Sequence, residues 1–122
     1  MNLQVLPQAF TVCQISDQSG VDFSRAFVFV SKTDEELSLV CETQCVPANT
    51  LAREDGWRAL RVSGVLEFSL VGILASLSGV LAQAGISIFA ISTYNTDYLL
   101  VKEDAFARAC SALADGGYTF LE

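Results

Sequence analysis

The sequence predicts an α+β fold in which strands and helices alternate. Three observations predict it. Hydrophobic residues make up 52% of the 122 residues and charged residues only 17%, which leaves ample apolar surface for a core. Leu70, Ile73, Leu74, Leu77, Val80, Leu81 and Ala84 recur at helical spacing and fill an arc of roughly 120° at 100° per residue. Two β-rich runs, Ile86–Tyr94 and Asp97–Val101, flank a short polar turn. The length suits one ordinary domain or two very small ones.

The elements follow in order. Phe10–Ile15 supplies an early strand, and Asp17–Ser24 is too short for a full crossover helix. FVFVS (Phe27–Ser31), a turn through Lys32–Glu35 and ELSLVCE (Glu36–Glu42) form a hairpin. Val46–Gly56, with Pro47 and Gly56, reads as a joining segment. WRALRV (Trp57–Val62) alternates apolar and polar, as a half-buried strand does. A loop through Ser63 and Gly64 then leads to the apolar helix, which Gly85 ends as a C′ residue. Ile86–Tyr94 is a strand, Asn95 and Thr96 make a tight turn, and Asp97–Val101 returns. Glu103 and Asp104 sit in the first turn of a second helix, where the dipole favours acids. Phe106, Cys110 and Leu113 mark its buried face, Gly116-Gly117 ends it, and Tyr118–Leu121 closes the unit.

The order from Trp57 onward is βαββαβ, the ferredoxin-like plan. The N-terminal half reads as a shortened relative of it. Shifted by 61 positions, VSKTDEELSLVCE (Val30–Glu42) lies over ISTYNTDYLLVKE (Ile91–Glu103). The expectation is two similar halves in tandem, an abbreviated one over 1–56 and a complete one over 57–122.

Composition removes several function classes. Fourteen acids oppose seven bases, a formal charge of −7, and no Lys/Arg cluster exists to meet a phosphate backbone, so nucleic acid is excluded as a partner. There is no His, which removes the usual general base and the commonest metal ligand. No nucleophile–base pair is apparent, so no catalytic residue is named and the chain is read as a non-enzyme. Cys41 and Cys45 are the only close cysteine pair. Their spacing does not fit a zinc knuckle, so Cys13, Cys41, Cys45 and Cys110 are read as small core residues and no metal site or cofactor is implied.

Phe68–Thr96 carries no charge, yet its serines, Gln83 and Gly85 interrupt it and no basic cluster flanks it, so no membrane span is expected. The N-terminus lacks a basic region followed by an apolar run, so a cytoplasmic protein with reduced thiols is expected. The outer face of the first helix, Ala75, Ser76, Ser78, Gly79, Ala82 and Gln83, is uncharged. Such a face asks for a partner, either the other half or a second copy, and a homodimer is expected.

A right-handed crossover makes Trp57–Val62 and Ile86–Tyr94 parallel, so their C-terminal ends meet at one edge. That edge receives the loop before the first helix and the hairpin turn, and with them Glu67 and Asp97, the only charges between Val62 and Val101. The mixture suits a free amino acid. Its carboxylate takes the free amides of Leu70, Val71, Gly72 and Ile73. Its ammonium takes Asp97, Asn95 or strand-end carbonyls, and Phe68, Ile73 and Tyr94 wall its side chain. The structural roles of the same residues are plain: Ser69 as a helix cap, Asp97 as a turn residue, Glu67 as a solvated loop residue, Tyr94 as a cross-strand packing residue.

GVLEFSLVGILASLSGVLAQAGISIFAISTYNTDYLLV closely resembles an ACT domain, the amino-acid-sensing module appended to aspartokinases and other biosynthetic enzymes. The helix–AGI–strand passage followed by IST and DYLLV is its most specific part. The whole chain resembles small stand-alone bacterial proteins with two aspartokinase-type ACT units, and is similar to the CASTOR family of cytosolic arginine sensors. The resemblance implies a ligand-binding role for Ser69–Ile73 (Ser69, Leu70, Val71, Gly72, Ile73) and for Ser92, Thr93, Tyr94, Asn95 and Asp97, with Asp97 foremost. Where the arginine sensors place acidic residues before the helix, this chain has Ser69, Leu70 and Val71, which argues against a cationic ligand. No phosphate-binding loop is present, so aspartokinase activity is not implied. The expected function is a non-catalytic module binding an amino acid; the alternative is an oligomerisation module that binds a protein partner and no ligand.

Overall fold

The structure is a computed structural model that describes residues 1–63 and 72–121. Its elements are β1 (Asn2–Ile15), β2 (Val28–Lys32), β3 (Leu37–Glu42), a 3-10 turn (Thr43–Cys45) and β4 (Thr50–Val62). There follow α1 (Ile73–Gln83), β5 (Phe89–Ser92), β6 (Asp97–Lys102), α2 (Glu103–Asp115) and β7 (Thr119–Leu121). Two compact units are formed, one by Met1–Pro7 with Arg58–Glu122 and one by Gln8–Trp57. Both boundaries fall inside long strands, β1 and β4.

The helix-bearing unit has the strand order β7-β1-β4-β6-β5. Its core is Leu3, Leu60, Val62, Leu77, Leu81, Ile86, Leu99, Val101, Ala109 and Leu113, so α1 and α2 pack on one face of the sheet. Leu77 and Leu81 are fully buried, with Ile73, Leu74, Val80 and Ala84 packed beside them, which is the apolar stripe read from the sequence. Both helices close as predicted. Gly85 at φ 74° lets the Ile86 amide reach the Leu81 carbonyl, and Gly117 at φ 97° does the same for Tyr118 and Leu113.

Several boundaries differ from expectation; β5 spans Phe89–Ser92 rather than Ile86–Tyr94, since the chain is still leaving the helix at Ile86, whose amide bonds the Leu81 carbonyl, and is already turning at Thr93. β1 begins at Asn2 rather than Phe10, because Leu3 and Val5 alternate toward the helix-side core, and the strand runs on through Pro7. The closing strand β7 pairs with this early segment, in parallel, with Asn2 opposite Thr119 and Gln4 opposite Leu121. β4 begins at Thr50 rather than Trp57, so the expected joining segment is largely strand. Its exposed polar residues Arg53–Asp55 hid the alternation, and Gly56 accommodates a φ of 84° within it. The described helix α1 begins at Ile73, after Gly72 at φ 82°. The expected cap Ser69 lies outside the described residues.

The other unit orders β2-β3-β1-β4, and no crossover helix stands between β1 and β2. Cys13, Ile15, Leu39 and Cys41 cluster in its core, with Val21, Val28, Val30, Leu37, Cys45 and Val46 against them, and Phe10, Val40 and Trp57 are buried as well. Phe10 meets Phe27 edge to face at 5.9 Å. Buried polar bonds supplement this. Thr11, with no exposed surface, makes hydrogen bonds of 2.7 Å to Asp55 Oδ1 and 2.9 Å to Thr43 Oγ1. Arg25 pairs with the nearly buried Glu42 at 3.2 Å.

The same hairpin occurs in each unit, but at a shift of sixty residues, not 61. Lys32 faces Leu37 across the first hairpin and Ser92 faces Asp97 across the second. The one-residue difference matters because it moves every side chain to the opposite face of its strand.

Candidate ligand-binding site

The β5–β6 hairpin belongs to the helix-bearing unit. Its turn is built on a threonine ring. The Thr93 amide and hydroxyl both donate to the Thr96 carbonyl at 2.9 Å, and the Thr96 amide donates back to Thr93 Oγ1 at 3.3 Å. The two tip residues are therefore Tyr94 and Asn95, one position earlier than the sequence reading placed the turn. Tyr94 is 78% exposed, an unusual position for so large an apolar ring, and Asn95 is exposed beside it.

Below the tip, the Ser92 hydroxyl donates to Asp97 Oδ1 at 2.6 Å. Asp97 is half-buried and Ser92 exposed, so the pair presents a carboxylate and a hydroxyl at the edge of the sheet. A carboxylate has several lone-pair directions, and one short bond from a hydroxyl leaves capacity for a further donor such as an ammonium group.

Thr96 was not among the residues singled out, and the structure makes it central. Its side chain turns inward, and its Oγ1 donates to the carbonyl of Val62 at 2.8 Å. Val62 ends β4, and the amide of the next residue, Ser63, donates to Asn2 at 2.9 Å. The hairpin tip is thus fastened to the strand end from which the chain leaves toward α1. This is the shared edge that crossover topology implies. A threonine in a turn looks solvated in the sequence; nothing local tells that its hydroxyl has a partner 34 positions away.

The remaining expected site residues divide in two. Gly72 is exposed and Ile73 half-buried, at the start of α1. Among the described residues, the first hydrogen bond of α1 runs from the Ser76 amide to the Gly72 carbonyl at 2.8 Å, so the amides of Ile73, Leu74 and Ala75 are those that helix geometry leaves without an acceptor inside α1. Glu67, Phe68, Ser69, Leu70 and Val71 lie outside the described residues. The structure directly joins Ser92 with Asp97, and Thr93 with Thr96; it joins the hairpin to the end of β4 through Val62.

No helix among the described residues is long and apolar enough to cross a membrane.

A βαββαβ unit with both helices on one face of its sheet and a polar hairpin at one edge defines the ferredoxin-like α+β class. Within that class, the chain belongs to the ACT domain family, whose model matches residues 52–115. It is 34% identical over 97 residues to the cytosolic arginine sensor for mTORC1 subunit 1 of Bos taurus. That match covers 74% of this chain and 30% of the relative, so the chain spans under a third of the sensor's length. Among solved structures, protein Atu0741 from Agrobacterium tumefaciens superposes with a TM-score of 0.87 at 28% identity, covering 98% of this chain and 91% of that one. Aspartate kinase from Synechocystis superposes with a TM-score of 0.70 at 17% identity, covering 99% of this chain and 27% of that chain, a likeness of fold alone.

Proposed function

We propose that the chain is a non-catalytic regulatory module that binds a free amino acid at the hairpin edge of its helix-bearing unit. The observation that carries this reading is the Ser92–Asp97 pair, held at a hairpin tip whose Thr96 is bonded to the end of β4. Asp97 accepts the ligand's ammonium group, with Ser92 and Thr93 as neighbouring hydroxyls. The free amides at the start of α1 take its carboxylate, where the helix dipole favours negative charge. Tyr94, exposed at the tip, and Ile73 at the start of α1 wall the ligand's side chain. Membership of the ACT family and similarity to a protein named as an arginine sensor support the reading.

The ligand side chain is uncharged or acidic by our reading, since Ser69, Leu70 and Val71 offer no carboxylate to a cation. We further read the chain as two ACT-like halves, because each unit carries the same hairpin beside a long strand, and as cytoplasmic, because it is similar to a protein named as a cytosolic sensor. The exposed, uncharged face of α1 and the edge strand β5 support assembly as a homodimer.

A thermal-shift series over the twenty common amino acids tests the central claim. A ligand at a hundred times its dissociation constant stabilises the folded state by about 2.7 kcal/mol, an easily read shift. Asp97→Ala is expected to abolish the shift while leaving the unliganded melting temperature nearly unchanged. An unaltered shift in that variant would remove Asp97 from the site. The oligomerisation reading predicts instead a stable oligomer, by sedimentation, indifferent to every amino acid.

A further inference from the structure

We propose that Thr96 is the positioning residue of this site: its hydroxyl fastens the hairpin tip to the end of β4 and so sets where Ser92 and Asp97 stand when an amino acid binds. This rests on the ligand reading above and adds to it the device that keeps the site in shape.

Thr96 is only 6% exposed, whereas its neighbours Ser92 to Asn95 are all exposed. Each of its polar groups is committed. The carbonyl accepts from Thr93 twice, the amide donates to Thr93, and the hydroxyl donates to Val62. A buried hydroxyl without a partner is costly, so a threonine in this place is stable only while it holds that carbonyl. Asp97 follows it directly in the chain, and the Ser92–Asp97 bond lies one residue further from the tip. Movement of Thr96 therefore moves the carboxylate.

The hairpin of the other unit supplies the contrast. There Glu36 stands sixty residues before Thr96 and closes the same ring, its carbonyl accepting from the Thr33 amide at 2.9 Å and its amide donating to Thr33 Oγ1 at 3.2 Å. Glu36 is exposed, and an ionised carboxylate has no proton to give a carbonyl. Lys32 and Leu37 stand there in place of Ser92 and Asp97. The turn ring is common to both hairpins; the fastening hydroxyl and the Ser–Asp pair occur together in one.

The test compares three variants by calorimetric titration with each of the twenty common L-amino acids, alongside amide hydrogen exchange. Thr96→Val, nearly isosteric but without the hydroxyl, is expected to weaken the tightest-binding amino acid by about tenfold. It is also expected to speed exchange of the Thr93 amide relative to that of Leu99. Thr96→Ser, which keeps the hydroxyl, is expected to stay within about threefold of the unmodified chain. Thr11→Val deletes an equally buried hydroxyl in the other unit and is expected to leave the dissociation constant unchanged. Unaltered affinity in Thr96→Val overturns the positioning role alone, and so does an equal weakening by Thr11→Val, which would trace the effect to general stability. If the unmodified chain binds none of the twenty, the ligand reading fails and this role fails with it.

Discussion

The two hairpins, β2–β3 and β5–β6, share a backbone and differ in chemistry. Each closes on a threonine whose amide donates 2.9 Å to the carbonyl three residues on. Leu39 and Leu99 occupy the same buried position on their return strands, and Phe29 and Phe89 the same half-buried position on the outgoing ones. The differences that bear on the site flank the turn: Lys32, Glu36 and Leu37 in one, Ser92, Thr96 and Asp97 in the other. The lesson is that the scaffold resides in alternating apolar positions and one turn threonine, while the candidate chemistry resides in three positions that the scaffold leaves free to vary.

The surroundings of the hairpins differ as well. Among the described residues, one unit packs two helices on an apolar core, whereas the other has no α-helix and supplements its core with buried polar bonds. Leu81→Ala in the first is expected to have the largest effect, about 2–5 kcal/mol, because it removes a fully buried side chain and leaves a cavity. Denaturant unfolding measures it. Thr11→Val in the second is expected to cost about 1–3 kcal/mol by leaving a buried polar network incomplete. A larger loss from Thr11→Val than from Leu81→Ala would reverse the comparison and make the polar network the main support of the chain.

Near neutral pH the smallest effect concerns Cys41. Burial pushes its thiol up to about 12 from an ordinary value of 9.0, with nearby Cys13, Cys45 and Glu42 adding to the rise. The folded state therefore keeps this proton over a range in which the unfolded chain has lost it. The contribution is fully present below pH 9 and is lost as pH rises from there toward about 12. Stability measured across that window is expected to fall less steeply in Cys41→Ala. The half-buried Cys45 is expected to be alkylated by iodoacetamide at pH 8 before the buried Cys41, a protection order read by mass spectrometry.

Much of the fold was legible because its signals are local. Helical spacing marked the face of α1, acids in the first turn marked α2, and Gly85 and Gly117 ended both helices through left-handed residues. The N-terminal strand was less legible: MNLQVLPQAF has a proline in its middle and acquires its partner, β7, from the far end of the chain. The strand over Thr50–Gly56 was missed because its side chains are mostly exposed and show no apolar alternation. In the candidate site, Asp97 stood out because charge is rare in its region. Thr96 did not, because a hydroxyl is read by its partner, and sequence does not show partners.

By itself the amino-acid order determined the α+β class, the stripe of α1, both helix ends and the placing of an isolated carboxylate beside a turn, since each depends on residues within one or two turns of chain. Only the tertiary structure decided the hairpin's sixty-residue register, the pairing of β7 with β1 and the bond from Thr96 to Val62. Those are contacts between distant segments, chosen by which groups burial leaves in need of a hydrogen-bonding partner.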